Sequence, residues 1–220
     1  MTPPFEGLFF DLDGTLADTA PDLGGALNEL RASMALPAVP LEGLRTYTSQ
    51  GVRGMLHAGL GMTTDHPEYA RTSQRFLDCY EARLCRLTVL FEGIDEVLAT
   101  CARLSVACGV VTNKSQRFTP RLMRLLALEH RLACAISGDS SPRAKPSPRP
   151  ILLAARLAGV RPERSIYVGD DERDIVAGRA AGMTTVAVRW GYHGDCAPIE
   201  SWNADRIIDH PLELVGLLGH

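Results

Sequence analysis

The sequence lacks a long hydrophobic run and a strong charge of one sign. No apolar stretch approaches the ~20 residues that a membrane-spanning helix needs, and the chain does not start with a charged region followed by an apolar signal segment. The 23 basic and 26 acidic residues give a net charge of −3, too weak to favour nucleic acid or an anionic membrane surface. We therefore expect a cytoplasmic protein that binds neither nucleic acid nor membrane.

The sequence also lacks the cysteine patterns of metal and redox sites. None of the six cysteines is in Cys-x-x-Cys spacing, and none is spaced with the six histidines as in a zinc site. Most of them fall in apolar or helical patterns, which favours buried reduced thiols. The cysteines stand at positions 79, 85, 101, 108, 134 and 196.

Length and composition are those of an ordinary globular protein. The chain has 220 residues, of which 45% are hydrophobic and 22% are charged. This length can bury a sizeable core, either in one domain with an insertion or in two small domains.

The most informative stretch lies near the start of the chain. An apolar run from Gly7 to Phe10 predicts a buried strand, and Asp13-Gly14 is a strong turn signal directly after it. Asp11 and Asp13 therefore stand where a strand ends, which is where open parallel sheets bind ligands. Two close carboxylates repel each other, and a divalent cation with oxygen ligands is the usual compensation.

The rest of the chain divides into a helical part and an alternating part. Residues 22–34, 40–60 and 66–85 have helical patterns, with no convincing strand between 20 and 86. After residue 91 helices and strands alternate, and a terminal helix begins at Pro211. The predicted helices of this part are 94–103, 116–127, 148–158 and 172–181, and the strands are 105–111, 132–137, 165–169, 183–188 and 206–208.

This order predicts an α/β fold: a doubly wound parallel sheet with an inserted all-helical cap. Strands that alternate with helices imply right-handed crossovers and a parallel sheet. We predict a catalytic core formed by residues 1–18 and 88–220. Residues 19–87 would form a helical cap, inserted directly after the Asp11 turn so that it lies over the carboxyl edge of the sheet.

Other predicted strands also end in polar residues suited to phosphoryl transfer. Thr112 and Asn113 follow one strand at a turn into a helix, where backbone N–H groups favour an anion. Lys145 precedes Pro146 and a helix, and Asp170 and Asp174 follow a further strand, one helical turn apart. Thr112 alone fits a helix cap, and only the matching strand ends raise it above that reading. Lys145 alone fits a solvated charge, and Asp170 and Asp174 alone fit an acidic first helical turn.

Together these residues resemble the four signatures of the haloacid dehalogenase-like hydrolases, a superfamily dominated by phosphatases. The first signature matches Asp11-x-Asp13-Gly-Thr-Leu-x-Asp-Thr, and the fourth matches Gly-Asp170-x-x-x-Asp174. The resemblance implies that Asp11 is a nucleophile and Asp13 a general acid/base, with Mg²⁺ as the cofactor. It further implies that Thr112, Asn113 and Lys145 bind the phosphoryl group. The implied metal residues are Asp11, Asp13, Asp170 and Asp174.

Within the superfamily the chain is similar to two groups that differ in substrate. Phe91-Glu92-Gly93-Ile94 and the helical insertion resemble phosphoglycolate phosphatases, whereas the stretches 169–175 and 202–205 resemble a sister group that acts on N-acetylmuramic acid 6-phosphate. The expected partner is a small phosphorylated metabolite, and the protein would be a monomer or a homodimer. For a carboxylate on the substrate, the predicted cap residues are Arg45, Gly51 and Arg53.

Three other activities share parts of this pattern. A dehalogenase has no use for a leaving-group acid at position 13, and a phosphotransfer receiver domain needs no added lid. A β-phosphoglucomutase-like activity stays open, because such mutases share the motifs and the cap type. The role of Asp171, as a ligand or as a solvated neighbour, also stays open at this point.

Overall fold

A six-stranded parallel sheet forms the centre of the computed structural model, which describes residues 4–193 and 197–219. Numbered along the chain, the strands are β1 Gly7–Phe10, β2 Ala17–Asp18, β3 Val89–Leu90, β4 Ala107–Val111, β5 Cys134–Ile136, β6 Ser165–Gly169, β7 Thr184–Val188 and β8 Arg206–Ile208. Across the six-stranded sheet they follow the order β5-β4-β1-β6-β7-β8.

Strand β1 lies in the middle of the sheet and is buried along its whole length. It pairs in parallel with β4 on one side and with β6 on the other. Leu8 and Phe10 belong to the larger hydrophobic cluster on one face, and Phe9 belongs to a second cluster on the opposite face. Burial on both faces explains why this strand reads as a continuous apolar run. The strand order reverses at β1, so Asp11 follows β1 at the switch point where such folds bind ligands.

Nine helices are assigned within the described residues. Helices α5, α7 and α8 pack on the sheet strands, as expected for helical crossovers. The helices are α1 Ala20–Ala32, α2 Glu42–Arg45, α3 Gly51–Leu60, α4 Tyr69–Ala82, α5 Ile94–Leu104, α6 Thr119–Leu125, α7 Arg149–Ala158, α8 Glu172–Ala180 and α9 Glu213–Gly219.

The first four helices pack mainly against one another. Helix α1 contacts α3 and α4, and Leu27, Met55 and Phe76 are buried between them. Phe76 and Tyr80 of α4 and Leu84 just after it are also buried. We refer to α1–α4 and their connections as the cap helices.

A short antiparallel ribbon joins the cap helices to the sheet. Strands β2 and β3 pair through Ala17 with Leu90 and Asp18 with Val89. The sequence analysis did not predict these strands, because two residues are too few to show an alternating pattern. The ribbon places side by side the two segments through which the chain enters and leaves the cap helices.

Most predicted elements are confirmed to within a few residues, but the single helical segment 40–60 is wrong. It consists of α2, a 3₁₀ turn at Thr48–Gln50 and α3. Gly51 has a φ of +60°, which a continuous α-helix does not allow. The terminal helix also begins at Glu213, two residues after Pro211.

The described cysteines are free thiols, but only two of them are fully buried. Cys101 and Cys108 are buried, whereas Cys79, Cys85 and Cys134 are half-buried. The prediction of buried thiols is therefore only partly correct, and Cys196 lies outside the described residues. In the described part of the chain, no helix is both long and apolar enough to cross a membrane.

Candidate active site

A cavity of about 300 Å³ lies between the carboxyl edge of the sheet and the cap helices. Its core wall is largely polar and charged, and its cap wall combines apolar side chains with uncharged polar ones. The core wall comprises Asp11, Asp13, Thr112, Asn113, Lys114, Ser115, Phe118, Lys145, Asp171, Arg173 and Asp174. The cap wall comprises Leu23, Thr48, Ser49, Gln50, Gly51, Val52, Phe76, Leu77 and Tyr80.

Three carboxylates from two strand ends meet at the bottom of the site. One oxygen of each of Asp11, Asp170 and Asp174 lies within 4.8 Å of the others. Asp11 follows β1, whereas Asp170 follows the neighbouring β6 and Asp174 lies in the first turn of α8. Parallel pairing of β1 with β6 brings the three together, and the cluster could hold a metal ion.

Hydrogen bonds fix Asp170 on both of its oxygens. Oδ1 accepts from the Thr15 hydroxyl at 2.7 Å, and Oδ2 accepts from the Tyr192 backbone N–H at 2.9 Å. Burial raises the pKa of Asp170 well above its ordinary value, and the charges of Asp11 and Asp174 raise it further. Burial likewise raises the pKa of Asp174, to about 7. Three carboxylates this close, two of them buried, favour a cation between them.

Lys145 supplies the positive charge among these carboxylates. Its Nζ lies 2.8 Å from Asp11 Oδ1 and 2.6 Å from Asp174 Oδ1, and it donates to the Tyr167 hydroxyl at 3.0 Å. Burial opposes the ammonium charge, but Asp11 and Asp174 outweigh burial and raise the pKa of Lys145 well above its ordinary value. Lys145 and Asp11 therefore form an ion pair in the site.

Asp11 is oriented through one oxygen. Oδ1 accepts from the Leu12 backbone N–H at 2.7 Å as well as from Lys145. Among the described residues no hydrogen bond reaches Oδ2. One oxygen is therefore fixed in place while the other has no protein partner, an arrangement suited to a nucleophile.

The carboxylate of Asp13 faces different partners. Its Oδ1 accepts from the Thr19 hydroxyl at 2.5 Å and from Lys114 Nζ at 2.8 Å. The sequence analysis placed Asp13 among the metal residues, but the structure does not bring its carboxylate into the cluster of Asp11, Asp170 and Asp174. The two motif aspartates thus have separate surroundings although only one residue lies between them.

Gly14 allows this turn to lie close to the acidic cluster. Its φ is +86°, and a Cβ at this position would overlap the Asp170 carboxylate. Both observations exclude a larger side chain. The Asp-Gly signal in the sequence therefore reflects a close backbone approach as well as a turn.

The loop after β4 holds the predicted phosphate-binding residues. The Thr112 hydroxyl accepts from the Lys114 backbone N–H at 3.1 Å. Asn113 accepts from the Lys145 backbone N–H and donates to the Lys145 carbonyl, both at 3.0 Å. Thr112, Asn113 and Lys145 therefore come together in the cavity, and their contact with a phosphoryl group stays a prediction.

Asp171 caps helix α8. Its carboxylate accepts from the Arg173 backbone N–H at 2.9 Å, and the Asp174 carboxylate accepts from the Asp171 backbone N–H at 3.2 Å. Burial would raise the pKa of Asp171, but hydrogen bonds from the Arg173 side chain outweigh it and lower this pKa. Asp171 is therefore neither a member of the acidic cluster nor a solvated neighbour.

Known proteins resemble this chain along most of its length. The sequence matches the haloacid dehalogenase-like hydrolase family over residues 8–188. This chain belongs to that family. It is 41% identical over 214 residues to the N-acetylmuramic acid 6-phosphate phosphatase of Pseudomonas aeruginosa, covering 97% of this chain and 94% of that protein. It is 39% identical over 208 residues to the phosphoglycolate phosphatase of Xanthomonas campestris pv. campestris, covering 94% and 93%.

A solved structure supports the same fold. The crystal structure of a predicted phosphoglycolate phosphatase from Haemophilus somnus superimposes with a TM-score of 0.85 at 25% identity. The superposition covers 97% of this chain and 98% of that chain. The doubly wound fold predicted from the sequence is confirmed, and this haloacid dehalogenase-like hydrolase has the acidic cluster described above.

The cap residues predicted to bind substrate in this hydrolase are only partly at the cavity. Gly51 lines it. The Arg45 guanidinium pairs with Asp18 at 3.1 Å and lies over the Tyr192 ring, outside the described cavity lining. Arg53 is exposed and lines a neighbouring depression. Arg45 therefore has a structural partner that its position in the sequence did not reveal.

Arg173 and Tyr167 are site residues of this hydrolase that the sequence analysis missed. Arg173 lines the cavity and donates to the Ser49 carbonyl of the cap at 2.9 Å. Tyr167 is buried in β6 and reads as one more apolar strand residue. Acidic residues are favoured in the first turn of a helix, so an arginine there is unusual. This signal could have pointed to Arg173 in the first turn of α8.

Proposed function

We propose that this chain is a Mg²⁺-dependent phosphatase that hydrolyses a small phosphomonoester through an aspartyl-phosphate intermediate. The observation that carries the proposal is the Asp11 carboxylate, which is held at one oxygen by Lys145 and lies beside two further carboxylates in a cavity. Membership of a hydrolase family and the phosphatase names of two relatives support it.

The residues present fit a magnesium ion. The donors are carboxylate oxygens, which this hard cation prefers, and burial disfavours their negative charges unless a cation is close. Asp11, Asp170 and Asp174 would hold the ion. When bound, it would offset the repulsion between the Asp11 carboxylate and the phosphoryl group.

In the first half of the reaction Asp11 is the nucleophile. An Asp11 oxygen forms a bond to phosphorus while the bond from phosphorus to the leaving oxygen breaks. Asp13, in its protonated form, gives its proton to the leaving oxygen, so that an alcohol departs. Lys145, the Thr112 hydroxyl and nearby backbone N–H groups stabilise the charge on the transferred phosphoryl oxygens.

In the second half water hydrolyses the intermediate. Asp13 is now a carboxylate and takes a proton from water as the water oxygen bonds to phosphorus. The bond from phosphorus to Asp11 breaks, which releases inorganic phosphate and restores the Asp11 carboxylate. Asp13 regains its proton in this step and is ready for the next turnover.

For the substrate we propose phosphoglycolate first and N-acetylmuramic acid 6-phosphate as the alternative. The relatives at 41% and 39% identity carry these two names, so overall similarity does not separate the compounds. The cavity of about 300 Å³ is at the lower end of ligand pockets, which span ~300–1,000 Å³, so a small metabolite suits it.

A substrate panel tests the proposal. Purified protein with Mg²⁺ is assayed for phosphate release from phosphoglycolate, N-acetylmuramic acid 6-phosphate, hexose phosphates and p-nitrophenyl phosphate. The Asp11→Asn variant is the control for contaminating phosphatase. Absence of phosphate release from every compound, or formation of an isomerised sugar phosphate in its place, would contradict the phosphatase assignment.

A further inference from the structure

Lys114 is the second lysine of the cavity, and the proposed reaction gives it no role. The chain contains only two lysines, Lys114 and Lys145, and the other 21 basic residues are arginines. Both lysines line the cavity. Lys145 is explained by Asp11 and Asp174, whereas Lys114 contacts neither of them by hydrogen bond or ion pair.

Lys114 is held against Asp13. Its Nζ donates to Asp13 Oδ1 at 2.8 Å, and only 7% of its side chain is exposed. The face of the Tyr80 ring lies 4.8 Å from Nζ, within the range of a cation–π contact. A buried ammonium with one carboxylate and one aromatic face has little freedom to point elsewhere.

A second donor on Asp13 Oδ1 fixes the orientation of this carboxyl group. The Thr19 hydroxyl donates to Asp13 Oδ1 at 2.5 Å, and the Thr19 backbone N–H donates to the Tyr192 hydroxyl at 2.7 Å. Two donors on Oδ1 fix the carboxyl plane, while Oδ2 has no hydrogen bond to a described residue. Asp13 lines the cavity. Its fixed carboxyl group is the one that must donate a proton to the leaving oxygen.

We infer that Lys114 is the positioning residue for Asp13, acting through the orientation of its carboxyl group and not through contact with the phosphoryl group. The inference rests on the proposed function, because it needs Asp13 to transfer the proton. Displacement of a reacting group by about 1 Å can cost ~10²-fold in rate, so loss of Lys114 should be visible in catalysis.

The test is the leaving-group dependence of Lys114→Met, a substitution that removes the ammonium group and keeps a side chain of similar volume. The value of kcat/KM reports the steps up to phosphoryl transfer, in which the leaving group departs. For an alkyl phosphate we expect kcat/KM to fall ~10–10²-fold, because an alkoxide needs the proton. For p-nitrophenyl phosphate, whose leaving group needs little protonation, we expect a change below about threefold.

Two reference variants separate this inference from its foundation. Asp13→Asn should show the same leaving-group dependence more strongly, and the double variant should lose no more than Asp13→Asn alone, because residues that act as a unit are not additive. If Asp13→Asn shows no leaving-group dependence, the proposed acid role fails and this inference fails with it. If Asp13→Asn shows the leaving-group dependence and Lys114→Met does not, only the positioning role of Lys114 is overturned.

A matched control removes another cation of the same loop. Arg117 pairs with Asp78 and Glu81 of helix α4 but lies outside the described cavity lining. Arg117→Met should leave the ratio of the two kcat/KM values unchanged. An equal shift of this ratio in both variants would indicate loosened packing of the cap helices and would overturn the specific role of Lys114.

Chemical rescue covers the case in which Lys114→Met is poorly folded. Lys114→Ala leaves space for a small amine, so added ethylammonium should restore turnover of the alkyl phosphate and not alter that of p-nitrophenyl phosphate. The inhibition constant of inorganic phosphate should be unchanged in Lys114→Ala. A weakened phosphate inhibition, with equal losses for both substrates, would make Lys114 a phosphate ligand and overturn the inference.

Discussion

The core wall and the cap wall of the cavity are built in opposite ways. On the core wall Asp174 and Lys145 are buried, and each has at least two polar partners. On the cap wall Phe76 and Tyr80 are buried and apolar in character, and Leu77 is half-buried. The core wall thus holds its charged groups in fixed positions, whereas the described lining of the cap wall has no charged residue.

This difference indicates where each part of the function lies. A buried charge that loses its partner is costly, so the core wall tolerates little change. An apolar wall can change shape at a smaller cost, and such changes alter which leaving group fits. We therefore expect variants of Asp11 and of the metal cluster to affect all substrates, and variants of Asp13 and Lys114 to affect most the substrates whose leaving group needs a proton. Variants on the cap side should affect some substrates more than others.

The largest expected effect is on the core wall at Asp11. Asp11→Asn removes the nucleophile, so phosphate release should fall below detection for every substrate. The fold should persist because Asn can still accept from the Leu12 backbone N–H. Phosphate-release assays and circular dichroism of the purified variant check this. Turnover of any panel compound at the wild-type rate would rule out Asp11 as the nucleophile.

Removal of the metal should have an effect almost as large. Excess chelator should abolish activity and added Mg²⁺ should restore it, whereas Ca²⁺ should inhibit because its larger, looser shell misplaces the carboxylates. Thermal denaturation gives a readout that does not depend on turnover, since Mg²⁺ should raise the Tm of the wild type but not of Asp170→Asn. Full activity in chelator would contradict the metal requirement.

Asp13→Asn should have an intermediate effect that depends on the leaving group. General acid catalysis typically contributes ~10²–10⁴-fold, so kcat/KM for an alkyl phosphate should fall by about that factor. For p-nitrophenyl phosphate kcat/KM should fall much less. Its kcat should still drop, because Asp13 is also the base of the second step. A burst of p-nitrophenol would reveal the accumulating intermediate, and equal losses of kcat/KM would count against the acid role.

The smallest expected effect is at Arg53 on the cap side. Arg53 is exposed and lies outside the described cavity lining. Arg53→Ala should therefore change the ratio of kcat/KM for a carboxylate substrate to kcat/KM for p-nitrophenyl phosphate by at most about fivefold. This factor corresponds to ~1 kcal/mol, the upper range for an exposed charge pair. Arg71→Ala, which removes an exposed arginine of helix α4, is the matched control. A tenfold or larger change in Arg53→Ala alone would place Arg53 at the substrate.

The core wall could be predicted from the sequence because parallel strands share one carboxyl edge. Asp11, Thr112 and Asp170 each follow a strand with a clear apolar pattern, so strand order alone brings them close. Lys145 was placed by its resemblance to a family motif and not by periodicity. The tertiary contacts of Asp13 were not predicted, because Lys114 lies 101 residues away in the sequence.

The cap side was predicted less well for physical reasons. Whether an arginine faces a substrate or a carboxylate of its own chain depends on tertiary packing, and the pair Arg45–Asp18 leaves no local pattern. Gly51 interrupts the helical segment through a positive φ, which any glycine permits but none requires. Asp171 has the same acidic type as a ligand and is distinguished only by its hydrogen bonds to the first turn of α8.

The scarcity of lysine makes the cavity chemically addressable. Acylating reagents that react with amines normally label a protein surface, but here the side-chain targets are two ammonium groups that are nearly enclosed, 7% and 3% exposed. Apart from the N-terminal amine, acylation therefore takes place inside the cavity. The rate at which the chain gains mass in such a reaction would report how accessible and how strongly ion-paired these two ammonium groups are, without a substrate or a turnover assay.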